Sequence, residues 1–505
     1  MTEIKTEIIE VNNKKDKKDK SIDRSTVQPE TPTPLFLNTE QPLENKNLEE
    51  MTPISIKQKE TNVIAQEDIN KKKEGENKGQ TILGATFLFA NTSLGTTIFT
   101  FAIRAKQFGL FWFLIFSILA ALINIWTVLR LIEAVKDIKE RDYSTVVEKI
   151  LGKKWATLLN IFLGLYCLLF LMTYMTLIYA LIGRFICSIW YKDKYPVFDD
   201  FKKEKWNKAQ YKFPIIFGYC FILYFVSLLK NMEKLNFAGY LGFIAVCYSV
   251  LVVVIQCDKY YKWYKNNERI EGDKSTYPNY FDFGKAFTKD LFFFKGMASL
   301  FAAYTNHSNV FPIYKSFDGV PDGKRKMIWS VWISNGLVGL MHFLTILCAF
   351  LTEPLEPEDL IVYRINRFGG YDIWMNIAKV SCAVCLFFST PLYFVGLRIA
   401  IQNAFFKEEI SDKQNYIVTG ICYFISALVA CLYDKILNYI TYGGGFTSIV
   451  FSYLFPIILY IVTNGKGFFY WKNFIEFMGA IILCLLGIIA GILTIINDIK
   501  GEDAT

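Results

Sequence analysis

The sequence predicts an all-α integral membrane protein with about eleven transmembrane helices. Of its 505 residues, 53% are hydrophobic and 17% are aromatic, and the mean hydropathy is +0.27. After a polar N-terminal stretch, apolar segments follow one another, each close to the roughly 20 residues that a helix needs to cross a bilayer. Two of these segments carry polar residues at their centres. These three observations indicate a multi-pass helical bundle that contains two broken helices.

The transmembrane domain is expected to cover residues 81–497, between two polar tails. Residues 1–80 are rich in Lys, Glu, Asn and Thr and nearly lack aromatic side chains. Such a stretch cannot bury enough apolar surface to offset its ordering entropy, so we expect a disordered tail. Residues 498–505 are expected to form a short polar C-terminal tail. The basic residues behind the net charge of +8 lie in the tail and loops rather than along one amphipathic face, so nucleic-acid binding is not expected.

The predicted spans follow one another with mostly short, polar gaps. They cover residues 82–108, 111–133, 155–189, 212–230, 236–257, 291–314, 327–352, 373–401, 415–434, 446–463 and 472–497. Basic residues in the tail and in the loop 136–154 place the N-terminus inside. The loops 190–211 and 258–290 would then lie outside, although they are also rich in Lys, so the charge pattern supports this orientation only in part.

The first and sixth spans are interrupted by polar residues. Residues 90–97 read ANTSLGTT and residues 304–309 read YTNHSN, with Pro312 shortly after. In lipid, an unwound backbone is tolerated only where protein or a water-filled cavity surrounds it. A pair of interrupted spans at corresponding positions of two halves indicates the binding site of a secondary transporter. Five spans precede residue 258 and five more end at residue 463, so we expect two inverted five-helix repeats and one peripheral eleventh helix.

Three stretches resemble the amino acid/auxin permease family. Residues 89–99 are similar to its first-span signature, and residues 388–391, followed by Arg398, are similar to its eighth span. Residues 304–314 resemble its sixth span, most closely in the sodium-coupled neutral amino acid transporter branch. The family usually has Gly-x-Gly in the first span, whereas Thr97 stands at the second glycine here. A tighter turn or a smaller pocket is expected from that difference.

The resemblance implies two inverted five-helix repeats with an amino acid and an ion bound at mid-membrane. The residues themselves are compatible with a zwitterion. Backbone N–H groups near Gly95 would face its carboxylate at a positive helix end, and freed carbonyls of residues 303–306 would accept from its ammonium group. The absence of a side chain at Gly95 permits close approach. The candidate substrate-binding residues are Asn91, Gly95, Thr96, Thr97, Phe301, Tyr304, Thr305 and Asn306.

A cation site is a separate expectation. The family places one between the first and eighth spans, where Asn91 matches the first-span ligand, Ser389 matches the eighth-span hydroxyl and Thr390 adjoins it. Na⁺ prefers such oxygen ligands. Alternatively, Ser and Thr hydroxyls within a span only bond the carbonyl of the preceding turn. If Na⁺ is not used, H⁺ is the expected coupling ion, and no cofactor is expected in either case.

His307 is a candidate gate or proton carrier, because an imidazole changes charge near neutral pH. The alternative is a neutral histidine that is hydrogen-bonded into the unwound segment. His342 in the seventh span is expected to serve packing. Lys379 and Arg184 are expected to lie near the ends of their spans and to act as anchors.

The expected function is cation-coupled transport of amino acids, with neutral side chains favoured, across the plasma membrane or a vacuolar or lysosomal membrane. Two alternatives remain: a non-transporting amino acid sensor that signals through its N-terminal tail, and an acyltransferase that uses His307 or His342. No phosphate-binding or dinucleotide-binding glycine pattern precedes a helix, and paired carboxylates are absent from the apolar segments. The cluster Glu353, Glu356, Glu358 and Asp359 lies in one loop, where we expect solvated surface to explain it. We therefore do not expect an enzyme, and the expected partners are a small amino acid and the lipid bilayer.

Overall fold

The computed structural model describes residues 81–500 except 136–137, 139–141, 191–208, 229–232, 268–291, 355–356, 365, 367, 369–371, 407–410 and 434. The expected disordered tail, residues 1–80, lies outside this part of the chain, as do residues 501–505 of the expected C-terminal tail. The described residues form helices and connecting loops, and no strand occurs among them. The all-α prediction is therefore confirmed.

The helices follow the order of the predicted spans. They are α1 (Ile82–Ser93), α2 (Phe101–Phe108), α3 (Leu110–Ala134), α4 (Tyr143–Leu151), α5 (Lys153–Trp190), α6 (Ala209–Ser227), α7 (Glu233–Asn267), α8 (Phe292–Tyr304), α9 (Val310–Lys315), α10 (Gly323–Thr352), α11 (Ile373–Phe405), α12 (Asp412–Leu432), α13 (Ile436–Thr441), α14 (Phe455–Thr463) and α15 (Trp471–Lys500). Short 3₁₀ turns cover Thr96–Thr100, His307–Asn309 and Ile361–Tyr363, and π-helical turns cover Tyr442–Ser448 and Val450–Leu454.

Eight helices of the described chain are long and apolar enough to cross a membrane. They are α3, α5, α7, α10, α11, α12, the continuous helix Ile436–Thr463 and α15. The bent pair α1 and α2 makes a ninth if it is counted as one span. Helix α6 is shorter, and α8 ends at the second interruption. A multi-pass membrane protein is thus established, while the total of eleven spans and the inverted repeat remain predictions.

Local sequence explains several helix ends. Asp142 accepts from the backbone N–H of Thr145 at 3.0 Å and caps α4, and Ser411 begins α12 with a reciprocal capping box. Gly109 separates α2 from α3 with φ of 88°, a conformation that favours glycine. These residues fix where α3, α4 and α12 begin.

The tenth span begins earlier than the predicted residue 446 and has an unexpected form. Gly443, Gly444 and Gly445 lie within a π-helical turn between α8 and α15, not in a loop. A β-carbon on Gly444 would lie 2.1 Å from the Ala298 carbonyl oxygen. The three glycines therefore allow the backbone of this helical turn to pack closely against its neighbours.

Candidate functional site

Both predicted interruptions are present. Helix α1 ends at Ser93, the chain turns at Leu94 and Gly95, and the two halves meet at a bend of 48°. Gly95 has an extended backbone, with φ of −87° and ψ of −166°. Helix α8 ends at Tyr304, and the chain is not helical again until the 3₁₀ turn that starts at His307.

The two interruptions contact each other. The Ser93 hydroxyl donates to the Tyr304 carbonyl oxygen at 3.4 Å. The Asn309 amide donates to the Thr92 hydroxyl at 2.6 Å, and that hydroxyl donates to the Leu88 carbonyl at 2.9 Å. These hydrogen bonds join the two interrupted segments, so we expect a movement of one segment to displace the other.

A cavity of about 270 Å³ lies beside the first interruption. Its walls come from α1, α5, α9, α11 and the start of α4. Polar lining residues are Asn91, Thr92, Asp142, Tyr143, Ser144, Asn160, Tyr166, Tyr174, Ser308, Asn309, Ser389, Tyr393 and Asn403. Among described residues the lining has one carboxylate, Asp142, which already caps α4, and it has no Lys or Arg. The cavity therefore suits a molecule without net charge.

The cavity is closed at one end and open at the other. Leu360 and Val362, from the loop between α10 and α11, line the closed end and are at most 1% exposed. The neighbouring Tyr363 ring lies 3.6 Å below the Arg184 guanidinium, so a cation–π contact holds this loop. Pro312 and Asn403 line the other end and are exposed.

The predicted site residues divide between the cavity and the protein interior. Asn91, Gly95 and Ser389 line the cavity. The structure does not place the following in its lining: Thr97, Phe301, Tyr304, Thr305, Asn306, His307 and Thr390, which are all buried. The Thr96 side chain lies outside what the structure describes. The Thr390 hydroxyl donates to the Leu386 carbonyl of its own helix at 2.6 Å, as the alternative for intramembrane hydroxyls expected.

The side chains of the second interruption face α3 instead. The Tyr304 hydroxyl lies 3.0 Å from that of Ser117, and Asn306 accepts from Asn124 at 3.3 Å. The His307 ring contacts Thr127, as described below. The backbone of this segment approaches the first interruption while its side chains hold the segment to α3.

Two predicted cation ligands converge on α7. A β-carbon placed at Gly242 would lie 3.1 Å from Asn91 Oδ1 and 3.6 Å from Ser389 Oγ. Cys385 Sγ would lie 3.0 Å from the same point. The missing side chain of Gly242 thus lets α7 pack closely against oxygen atoms of α1 and α11.

The sequence interpretation missed four tyrosines that line the cavity: Tyr143, Tyr166, Tyr174 and Tyr393. The Tyr174 hydroxyl would lie 3.5 Å from a β-carbon on Gly95, so it reaches the first interruption. The Tyr393 ring lies 6.3 Å from that of Tyr166 and 5.2 Å from that of Tyr174, centroid to centroid. Nothing in a single sequence distinguishes these tyrosines from aromatic residues that pack or face lipid.

At the open end, the start of α4 is tied to the bundle. The Tyr143 hydroxyl donates to the Phe451 carbonyl at 2.5 Å, and its ring lies 5.1 Å from that of Phe311. Burial raises the pKa of Tyr143 well above its ordinary value, so the hydroxyl remains a neutral donor. This contact joins α4, α9 and the π-helical part of the tenth span.

Comparison with known proteins finds a matching family and several similar proteins. A family model described as transmembrane amino acid transporter protein matches residues 78–499. The chain is 23% identical to vacuolar amino acid transporter 2 of Saccharomyces cerevisiae, over 85% of this chain and 86% of that protein. It is 21% identical to sodium-coupled neutral amino acid transporter 7 of Xenopus laevis, over 75% of this chain and 80% of that protein. A match to sodium-coupled neutral amino acid transporter 4 of Pongo abelii, 21% identical, covers 37% of this chain and only 34% of that protein.

Proposed function

The chain belongs to the transmembrane amino acid transporter family, and from this premise we propose that it is a secondary active transporter of neutral amino acids. It works by alternating access and is coupled to Na⁺ or H⁺. The observation that carries this proposal is the cavity beside the hydrogen-bonded pair of interruptions. Such interruptions expose backbone groups inside a membrane protein, which an ordinary packed helix does not.

Neutral substrates fit the electrostatics of the cavity. A cationic or anionic side chain needs a partner of opposite charge when it leaves water. The described lining has no Lys or Arg, and its one carboxylate, Asp142, is at the open end. The carboxylate and ammonium groups of the substrate are served by N–H groups near Gly95 and by carbonyls of the second interruption.

Na⁺ is the first choice for the coupling ion. Asn91 Oδ1 and Ser389 Oγ both lie close to Gly242 and so approach each other, and we expect backbone carbonyl oxygens to complete the coordination of the ion. Carbonyl and hydroxyl oxygens suit hard cations. Thr390 contributes less in this arrangement, because its hydroxyl proton is directed to its own helix. H⁺ is the alternative ion.

The compartment is either the plasma membrane or a vacuolar or lysosomal membrane. The chain is an integral, multi-pass membrane protein, and its relatives include one whose name places it at the vacuole. The names of these relatives are those of transporters, so the sensor alternative gains no support from them. A transporter family likewise fits the expectation that the chain is not an enzyme.

Uptake into proteoliposomes tests the proposal. We expect a labelled neutral amino acid to accumulate under an inward Na⁺ gradient or an acid-outside gradient, and to leave when the gradient is collapsed. Failure of every amino acid in a neutral, acidic and basic panel to accumulate or exchange would overturn it.

Paired variants then locate the ion. Asn91→Ala and Ser389→Ala are expected to weaken the apparent Na⁺ affinity about tenfold, which corresponds to about 1.4 kcal/mol. Thr390→Val removes a neighbouring hydroxyl that is bonded to the Leu386 carbonyl of its own helix. This variant should change the apparent Na⁺ affinity by less than about threefold. Equal effects of Ser389→Ala and Thr390→Val would remove Ser389 from the site.

A further inference from the structure

A second group of buried polar side chains lies behind the second interruption, away from the cavity. It comprises Ser117, Asn124 and Thr127 on α3 with Tyr304, Asn306 and His307 of the interrupted span, and is called here the α3 polar cluster. All six residues are at most 3% exposed. None of them lines the cavity described above.

The hydrogen-bond partners of Thr127 favour one tautomer of His307. The Thr127 hydroxyl can donate to the carbonyl of Ile123 or of Asn124, both at 3.1 Å. With its one proton used there, Thr127 Oγ1 accepts at its 3.0 Å contact with His307 Nε2. In this arrangement His307 carries its proton on Nε2, and Nδ1 is free to take up another.

Three atoms of the α3 polar cluster are buried without a partner among the described residues: His307 Nδ1, Asn124 Oδ1 and Asn306 Nδ2. The Asn124 amide N–H donates to Asn306 Oδ1 at 3.3 Å and to Asn335 Oδ1 at 2.8 Å, so these side chains are neighbours. Buried polar atoms are nearly always satisfied. Two acceptors and one donor match the bonds of one water molecule, which accepts once and donates twice.

We infer that the α3 polar cluster is a proton-binding site, separate from the Asn91 and Ser389 site, in which His307 Nδ1 takes up the proton. The inference rests on the proposed transport function. The proton comes from water on the acidic side, converts the imidazole to an imidazolium and leaves again as hydrated H⁺. The new Nδ1–H group donates through one bridging water to Asn124 Oδ1.

The surroundings explain why the charge would influence transport. The imidazole contacts Thr127, and its centroid lies 5.9 Å from that of Tyr453, the titratable group facing it from the tenth span. The charges nearest to Thr127 along α3, Arg130 and Glu133, are paired with side chains of other helices. A buried imidazolium without a counter-ion is unfavourable, so its protonation favours a conformation that admits water to this segment.

The test uses His307→Gln with His342→Gln as its matched control. Glutamine can still donate to Thr127 but has no basic nitrogen. His342, the other of two histidines, is also fully buried; its ring lies 5.0 Å from that of Phe101 and 4.7 Å from that of Tyr304, and neither ring nitrogen has a partner among the described residues. In proteoliposomes without Na⁺, we expect an acid-outside gradient to stimulate net uptake by wild type and His342→Gln. In His307→Gln this stimulation should fall at least about tenfold, while amino acid exchange at equal pH should fall by less than about threefold.

Retention of the full pH stimulation by His307→Gln would overturn the inference. Wild-type exchange with no pH stimulation would overturn it as well and leave the transport proposal standing, whereas no transport of any amino acid by wild type would end both. Imidazole ¹⁵N spectra provide a measurement that does not need His307→Gln to fold. In the His342→Gln background, which retains one histidine, the signal should show the Nε2–H tautomer at high pH and imidazolium on acidification. An Nδ1–H tautomer, or no titration, would contradict the assignment.

Discussion

Gly242 lets α7 pack closely against two predicted cation ligands. A β-carbon there would lie 3.1 Å from Asn91 Oδ1 and 3.6 Å from Ser389 Oγ, on a helix that the sequence interpretation did not include in the cation site. A larger side chain at residue 242 therefore gives a direct steric test of the proposed site.

Gly242→Ala is expected to lower the apparent Na⁺ affinity about tenfold with little effect on folding. Its methyl group would lie 3.0 Å from Cys385 Sγ and 3.1 Å from Asn91 Oδ1, closer than ordinary contact, and is expected to move the Asn91 oxygen away from the ion. The measurement is the Na⁺ dependence of uptake. Gly218→Ala is the matched control, because a β-carbon there meets no atom within 4 Å. Equal Na⁺ dependence of both variants would show that the space beside Gly242 holds no ion.

Tyr174→Phe is expected to weaken substrate affinity about tenfold or more, since a hydrogen bond to a charged group contributes roughly 1.5–3 kcal/mol. The Tyr174 hydroxyl reaches the first interruption near Gly95, where the substrate carboxylate is proposed to bind. Competition binding or half-saturation of exchange measures this effect. Tyr423→Phe removes another buried hydroxyl, which contacts Ser227 away from the cavity, and should leave the half-saturation concentration near its wild-type value. A Tyr174→Phe variant with normal affinity would exclude the hydroxyl from the site.

Residue chemistry made part of the site predictable. Asn91, Gly95 and Ser389 stand out because polar or small residues are unusual within apolar spans, and all three line the cavity. Thr305 and Asn306 give the same kind of sequence signal but are buried outside the cavity lining. The direction of a side chain at an interruption depends on partners such as Asn124, which are far away in sequence.

At the scale of elements, hydropathy predicted where the helices lie but not their internal form. Helices lie in every predicted apolar segment, broken only at the two interruptions among the described residues, because an isolated backbone in lipid must satisfy its own hydrogen bonds. Hydropathy did not predict the π-helical turns from Tyr442 to Leu454, because they depend on how the tenth span packs against other helices. There Gly444 approaches α8 and Gly445 approaches α15.

Gly444→Ala is expected to destabilise the protein by about 1–3 kcal/mol, the usual cost of overpacking. Its β-carbon would lie 2.1 Å from the Ala298 carbonyl oxygen and 2.6 Å from Ala302 Cβ, so α8 or the tenth span must move. Thermal unfolding in detergent, followed by tryptophan fluorescence, measures the change. Gly479→Ala on α15 meets no atom within 4 Å and should melt at or slightly above the wild-type temperature. Equal melting temperatures would mean that the close contact is absent.

At the scale of the whole molecule, the described lining of the cavity is buried at one end and exposed at the other. The closed end is formed by a short 3₁₀ turn, Ile361–Tyr363, whose residues are at most 2% exposed. The open end is formed by α9 and the last turns of α11. Alternating access requires a second state in which the end near Val362 is exposed and the end near Asn403 is buried. An ion shifts the equilibrium between the two states only if it binds them with different affinity.

Cysteine labelling can detect that exchange. In detergent, where both ends meet solvent, Asn403→Cys should react rapidly with a polar maleimide without Na⁺, and Val362→Cys should react slowly, because residue 403 is exposed and Val362 is 1% exposed. If Na⁺ shifts the equilibrium by about 1.4 kcal/mol towards the other state, the first rate should fall and the second should rise by up to about tenfold. The wild-type protein gives the background from its eleven native cysteines. Rates that change in the same direction, or not at all while Na⁺ drives uptake, would be incompatible with two alternating states of one cavity.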